Sequence, residues 1–418
     1  MHKILIKNIR QLAQVREFGI NTVKGAAMAV LPSIFDAWLA IEDDLIVAYG
    51  KMEEWPGITD WSNLEVIDAS GKIVFPTYCD SHTHIVYAGT REGEFVDRIN
   101  GLSYEEIAFR GGGIINSAQK MQTASEDKLY DDALMRINEM ISQGTGAIEI
   151  KSGYGLSLEA ELKMLRVINK LKQILPIPIK ATFLGAHAIP LEFKENRKAY
   201  IDLIINEMLP AIANEQLADY CDVFCERNYF SPDETFQILN AAKHYGIQAK
   251  VHAEQLSNSG GVIAGVKAGA ISVDHLEYVG EAEIVALSNS ETMPVILPGA
   301  AFFLSLPHPP AKKMIQAGLP LAIASDFNPG SSPSGNINLM NAIACIQYGL
   351  TPEETINAST INGAYAMGIS ENYGSITIGK KASFVITKEI PSLAYLPYAF
   401  GSLLIEQVFI NGKLFRGF

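Results

Sequence analysis

The sequence predicts an α/β fold: a (β/α)8 TIM barrel with a small flanking β-sandwich domain formed from both termini. Three observations carry that expectation. The middle of the chain alternates short apolar strand candidates with helical patterns. Both ends alternate apolar and polar residues around hairpin turns. Five of the eight histidines fall where strand candidates end.

At the N-terminal end, residues 36–49 read as two strands around the acidic turn Glu42-Asp43-Asp44, and 65–76 as an apolar run broken by Gly71. At the other end, 374–387 and 406–415 alternate, with turns at Gly379-Lys380-Lys381 and Asn411-Gly412. These segments are expected to meet as one domain, residues 1–72 with 372–418, beside a barrel over 73–371. The barrel strand candidates are 73–75 running on to His84, then 147–151, 179–186, 222–226, 248–252, 271–275, 295–297 and 321–325. Helical patterns at 126–141, 158–175, 200–214, 232–245 and 281–290 lie between them. The long gap between His84 and Lys151 marks an insertion holding Arg91 and a flexible Gly111-Gly112-Gly113 run. Residues 292–311 are uncharged, but Pro294, Pro298, Pro307, Pro309 and Pro310 break any spanning helix, so a buried strand and a loop are expected there.

Composition narrows the function classes. With 48% hydrophobic residues the 418-residue chain can bury a large core, which excludes disorder as its main state. Thirty-three basic against 46 acidic side chains give a net charge of −13, which argues against nucleic acid as a partner. Four cysteines exclude a disulfide scaffold; Cys221 and Cys225 read as a buried reduced pair, and a cytoplasmic location follows. The first ten residues carry no targeting pattern, and no membrane partner is expected.

His82, His84, His187, His252 and His275 all sit at the C-terminal ends of strand candidates, where barrel enzymes build their sites. His82 and His84 are two apart on a strand, so both rings face one side and can reach one metal ion. Asp80 shares their parity and is expected to orient one of them. His252 on the fifth strand and Asp326 on the eighth complete a candidate ligand set.

These residues, in the runs 75–84, 251–254, 273–277 and 325–326, resemble the amidohydrolase superfamily, although Ser383 stands where its tail pattern usually has Asp. The runs 82–91 (HTHIVYAGTR), 149–155 (EIKSGYG), 183–190 (FLGAHAIP) and 326–332 (DFNPGSS) resemble its imidazolonepropionase family over nearly the whole chain. The resemblance implies hydrolytic opening of 4-imidazolone-5-propanoate to N-formimino-L-glutamate in histidine degradation, with one divalent ion per subunit, zinc or iron. Another amidohydrolase acting on a cyclic amidine or amide, such as a deaminase, is the alternative. Such an ion acidifies its water and leaves a coordination position open for it. Asp326 is expected to accept a proton, and His275 to orient water or shuttle a proton. Gln255 stands where the family places a Glu or Gln that touches substrate; as Gln it cannot act as a base. For the small anionic substrate, Arg91 is expected to pair with the propionate, Tyr154 to offer a hydroxyl, and His187 to bond the ring carbonyl. Asn328, Gly330 and Ser331 are expected to offer donors. Lys151 at a strand end raises a carboxylated-lysine, two-metal site as a minor alternative. A homodimer is the base-rate expectation for assembly.

Overall fold

The structure, a computed structural model, describes residues 2–58, 62–102 and 104–417. Five strands come first: β1 (Lys3–Ala13), β2 (Ser33–Glu42), β3 (Leu45–Lys51), β4 (Leu64–Asp68) and β5 (Ile73–Pro76). Eight follow in the middle: β6 (Tyr78–Thr83), β7 (Thr145–Lys151), β8 (Ile179–Ala186), β9 (Tyr220–Cys225), β10 (Gln248–Ala253), β11 (Ser272–His275), β12 (Met293–Ile296) and β13 (Ala322–Ile323). The chain ends with β14 (Phe384–Thr387), β15 (Ile405–Ile410) and β16 (Lys413–Leu414).

Strands β6 to β13 form one sheet in sequence order, each parallel to its neighbour. This is the expected TIM barrel. The segment after β13 closes it: Asp326 N donates to the His82 carbonyl and His84 N to the Phe327 carbonyl, both at 2.9 Å. Asp80 is part of the same seam, accepting from Ser325 N at 3.0 Å and Ser325 Oγ at 2.5 Å. Asp80 therefore does not orient a histidine, as its parity suggested; both its oxygens serve the closure.

The two chain ends share a second sheet, in the order β16-β15-β14-β5-β1-β2-β3, with β4 also paired to β1. Residues 73–75 belong to this sheet through β5 and not to the first barrel strand: β5 pairs with β1 and β14, and the barrel begins at Tyr78. The two strands follow one another with only Thr77 between them, so the sequence reading ran them together. Strand β1 has no counterpart among the sequence expectations, because a register shift between Ile6 and Ile9 breaks its alternation. The Gly379 turn closes no hairpin: Ile376 bridges to Val15, and Lys381 to Leu45. The core of this sheet, with Ile4, Leu39, Val74, Phe384 and Phe409, is an apolar cluster distinct from the barrel's.

The helices start where side chains satisfy their first amides. Ser125 and Ser157 cap Glu126–Ser142 and Leu158–Ile174, and Ser231 with Glu234 forms a capping box at Pro232–His244. The helical pattern at 200–214 is divided by a π turn at Ile204–Met208. After β12 the expected loop contains a helix, Pro298–Leu304; Pro298 sits in its first turn, where a missing N–H is harmless. Among the described residues no helix is long and apolar enough to cross a membrane.

Candidate active site

Strand ends bring His82, His84 and His252 together. One ring nitrogen from each lies within 4.8 Å of the others, and all three residues are buried. His82 Nε2 is 3.3 Å from His84 Nε2, and Asp326 Oδ1 lies 3.6 Å from the first and 3.5 Å from the second. Burial holds all three imidazoles below their ordinary pKa, His82 and His84 far below it, so they are neutral at pH 7. Neutral imidazole is the form that binds metal. Two further observations fit a metal ion here. His252 Nε2 is buried without a hydrogen-bond partner, and burial pushes Asp326 up to about 7. These groups are poorly satisfied by one another and well suited to a shared cation.

Behind the histidines lies a layer of paired charges. Asp274 Oδ2 bonds His82 Nδ1 at 2.6 Å, which puts the proton on Nδ1 and turns Nε2 towards the cluster. Asp222 Oδ2 is 3.0 Å from His252 Nδ1, though the ring is poorly aligned for a hydrogen bond. Lys151 Nζ reaches Glu149 at 2.7 Å and Asp222 at 2.8 Å, and Lys250 pairs with Glu149. Burial works against the Lys151 charge, but Asp222, Glu149 and Asp274 outweigh it and raise its pKa. The Lys151 ammonium is thus held as one member of a buried ionic layer. Sequence reading missed Glu149, Asp222, Lys250 and the part played by Asp274. The available signal was parity: Glu149 with Lys151, and Lys250 with His252, are two apart on strands and so share the barrel face.

His275 reaches the cluster by another route. In register its partner on β10 is Ala253, while Asp274 pairs with His252. Strict alternation would aim His275 away from the site. Positive φ at His275 (90°) and Leu276 (74°) turns the chain, and the His275 ring stands 5.2 Å from that of His252.

Around this centre a pocket is lined by His84, Arg91, Tyr154, His187, Gln255, His275, Asp326, Asn328, Gly330 and Ser331, among others. Every expected site residue therefore lies in the pocket or the histidine cluster. Several contacts differ from expectation. Arg91 gives its Nε and Nη2 to Glu94 at 2.8 and 2.6 Å, and its Nη1 passes so close to Gly330 that a Cβ there would lie 2.1 Å away. His187 Nδ1 is 3.0 Å from the Gly153 carbonyl, which can only accept, so Nδ1 carries the proton and Nε2 a lone pair. Burial lowers His187 to about 3. His187 thus presents an acceptor rather than the expected donor to a ring carbonyl. Gly153 (φ 102°) permits this contact, since a Cβ would meet His187 Nδ1 at 2.9 Å. Asn328 bonds the Asp326 carbonyl and Ser331 Oγ, and its own oxygen takes the Gly330 and Ser331 amides. These three residues, expected to offer donors to substrate, line the pocket and bond one another in the loop that follows Asp326.

Buried carboxylates also order the loops that carry pocket residues. Glu161 accepts from the amides of Gly153, Gly155 and Leu156 around Tyr154, and Glu226 from those of Leu256 and Ser257 beside Gln255.

Comparison with known proteins accords with this arrangement. The model of the amidohydrolase family matches residues 73–415. A protein named imidazolonepropionase from Flavobacterium johnsoniae is 59% identical over 98% of this chain and 99% of its own length. One of the same name from Alkaliphilus oremlandii is 42% identical over 98% and 97%. The chain belongs to the imidazolonepropionase branch of the amidohydrolase family. Among solved structures, Escherichia coli guanine deaminase superposes with a TM-score of 0.75, covering 100% of this chain and 99% of its own. At 13% identity that likeness concerns the amidohydrolase fold alone.

Proposed function

We propose that this chain is an imidazolonepropionase, a hydrolase that opens the ring of 4-imidazolone-5-propanoate at its cyclic amide C–N bond to give N-formimino-L-glutamate. The observation that carries this reading is the convergence of three neutral imidazoles with Asp326 at the mouth of a barrel, in a chain 59% identical to a relative of that name. His82, His84, His252 and Asp326 would hold one divalent ion; imidazole and carboxylate donors suit zinc or iron. When bound, such an ion supplies a Lewis acid that makes water nucleophilic at neutral pH and polarises the ring carbonyl.

The chain's own groups do the rest. Asp326 accepts a proton from water at its carboxylate, and His275 orients that water and passes a proton towards the leaving ring nitrogen. Arg91, steadied by Glu94, receives the propionate carboxylate. His187 Nε2 accepts from a ring N–H, and Tyr154 offers its hydroxyl beside it, the two rings being 5.5 Å apart. Gln255 bonds substrate through its amide and moves no proton. Four free cysteines and the histidine-degradation chemistry support a cytoplasmic enzyme. We expect it to be a homodimer acting on this small anion.

The test is product analysis. Metal-loaded protein given 4-imidazolone-5-propanoate should form N-formimino-L-glutamate faster than spontaneous decay, with both ring nitrogens retained. Release of ammonia in step with substrate loss would favour a deaminase instead.

A further inference from the structure

Behind His275 lies a group that the reaction as described does not use. Glu277 follows β11 in a turn; its side chain is fully buried, and neither carboxyl oxygen has a hydrogen-bond partner. Its Oε1 lies 3.8 Å from His275 Nδ1, which is also buried and without a hydrogen-bond partner. The hydroxyl of Tyr348, on the helix Ile337–Tyr348, is a fourth such atom, close enough to Glu277 for the two to interact. Unsatisfied buried polar atoms are costly, so several gathered in one place call for a reason. Burial drives the Glu277 carboxyl well above its ordinary range, so it carries a proton of its own to donate. The positive φ at both His275 and Leu276 brings the two groups to the same side of the chain.

We infer that Glu277 is a positioning residue for His275: its carboxyl holds Nδ1, fixing the ring so that Nε2 faces the reacting water. The 3.8 Å separation closes to a hydrogen bond when substrate fills the pocket. Glu277 touches neither substrate nor the histidine ligands in this arrangement, and it ends each turnover unchanged. Tyr348 backs the carboxyl from the other side. The inference rests on the proposed function, because it assigns Glu277 a part in that reaction.

The experiment is a double-mutant cycle on the metal-loaded full chain with 4-imidazolone-5-propanoate: Glu277→Leu, His275→Asn and both together. Glu277→Leu, which cannot donate to Nδ1, should lower kcat by roughly 10- to 100-fold, with KM and bound metal unchanged, whereas Glu277→Gln keeps an N–H donor of the same reach and should retain most of the activity. In the His275→Asn background Glu277→Leu should cost nothing further. Multiplying losses, an unaltered kcat in Glu277→Leu, or a loss that follows metal content would overturn the inference. Should Glu277→Leu fail to fold, Glu277→Met takes its place in the cycle, with the same outcomes decisive. A wild-type protein that does not turn over the substrate removes the proposed function itself. Wild-type turnover with independent losses removes only the part assigned to Glu277.

Discussion

At the mouth of the barrel, His84, His252 and His275 keep ring nitrogens without hydrogen-bond partners. Just behind them, Glu149, Lys151, Asp222 and Lys250 bond one another, and Asp274 bonds His82. Both layers are buried, and both are polar. The difference teaches which layer waits for something. An unsatisfied buried group is tolerated where a ligand completes it, whereas a satisfied ionic layer fixes the position of what lies above it. The mouth is built to receive a cation and a substrate; the layer behind is built to keep the mouth in place.

Substitutions in the two layers should therefore fail differently. His252→Ala removes a ligand and should abolish stoichiometric metal binding, with activity lower by on the order of 10³-fold, the several kcal/mol a Lewis acid supplies. Its fold should survive, because a neutral ring is lost from the edge of a cavity. Elemental analysis and circular dichroism check both halves. Lys151→Met is the opposite case. It leaves Asp222 buried without its lysine and Glu149 with Lys250 alone, and should lower unfolding stability by about 3–5 kcal/mol in a denaturant titration. A stable Lys151→Met protein with weakened metal binding would merge the two layers into one.

Intermediate effects sharpen the boundary. Asp274→Asn keeps the size of the side chain but removes the charge that faces His82 Nδ1. Metal affinity should fall by about 10- to 100-fold, measured by competition with a chelator, while the fold persists. Smallest is Arg91→Met, at the rim of the pocket. It should raise KM by roughly tenfold, about 1.5 kcal/mol for one hydrogen bond to a charged group, and leave kcat and metal content alone. An unchanged KM would move the carboxylate contact elsewhere.

The contrast also marks what could be read from the chain alone. The histidines were legible because HxH on a strand, a histidine and an aspartate at later strand ends are local patterns with one chemical meaning. The eight-strand alternation was legible for the same reason. The ionic layer was not: Lys250 meets Glu149 across 101 residues and Lys151 meets Asp222 across 71. Each of these looks singly like an ordinary polar strand residue. Asp80 misled because parity names a face of the sheet but not a neighbour, and its neighbour is Ser325 at the barrel seam. The tautomer of His187 was not legible either, since the carbonyl that sets it belongs to Gly153 on another loop. Local pattern found the groups that await a ligand; only the fold revealed the groups that hold them.

The most direct test titrates metal-stripped protein with zinc or iron(II) while following the ultraviolet band of 4-imidazolone-5-propanoate, in parallel with the His252→Ala protein. We predict that activity rises with added metal and saturates at one ion per chain, and that the His252→Ala protein gains almost nothing at any concentration. Full activity in the stripped protein, or equal restoration of the His252→Ala protein, would contradict the central claim that these three histidines hold the ion that makes the site work.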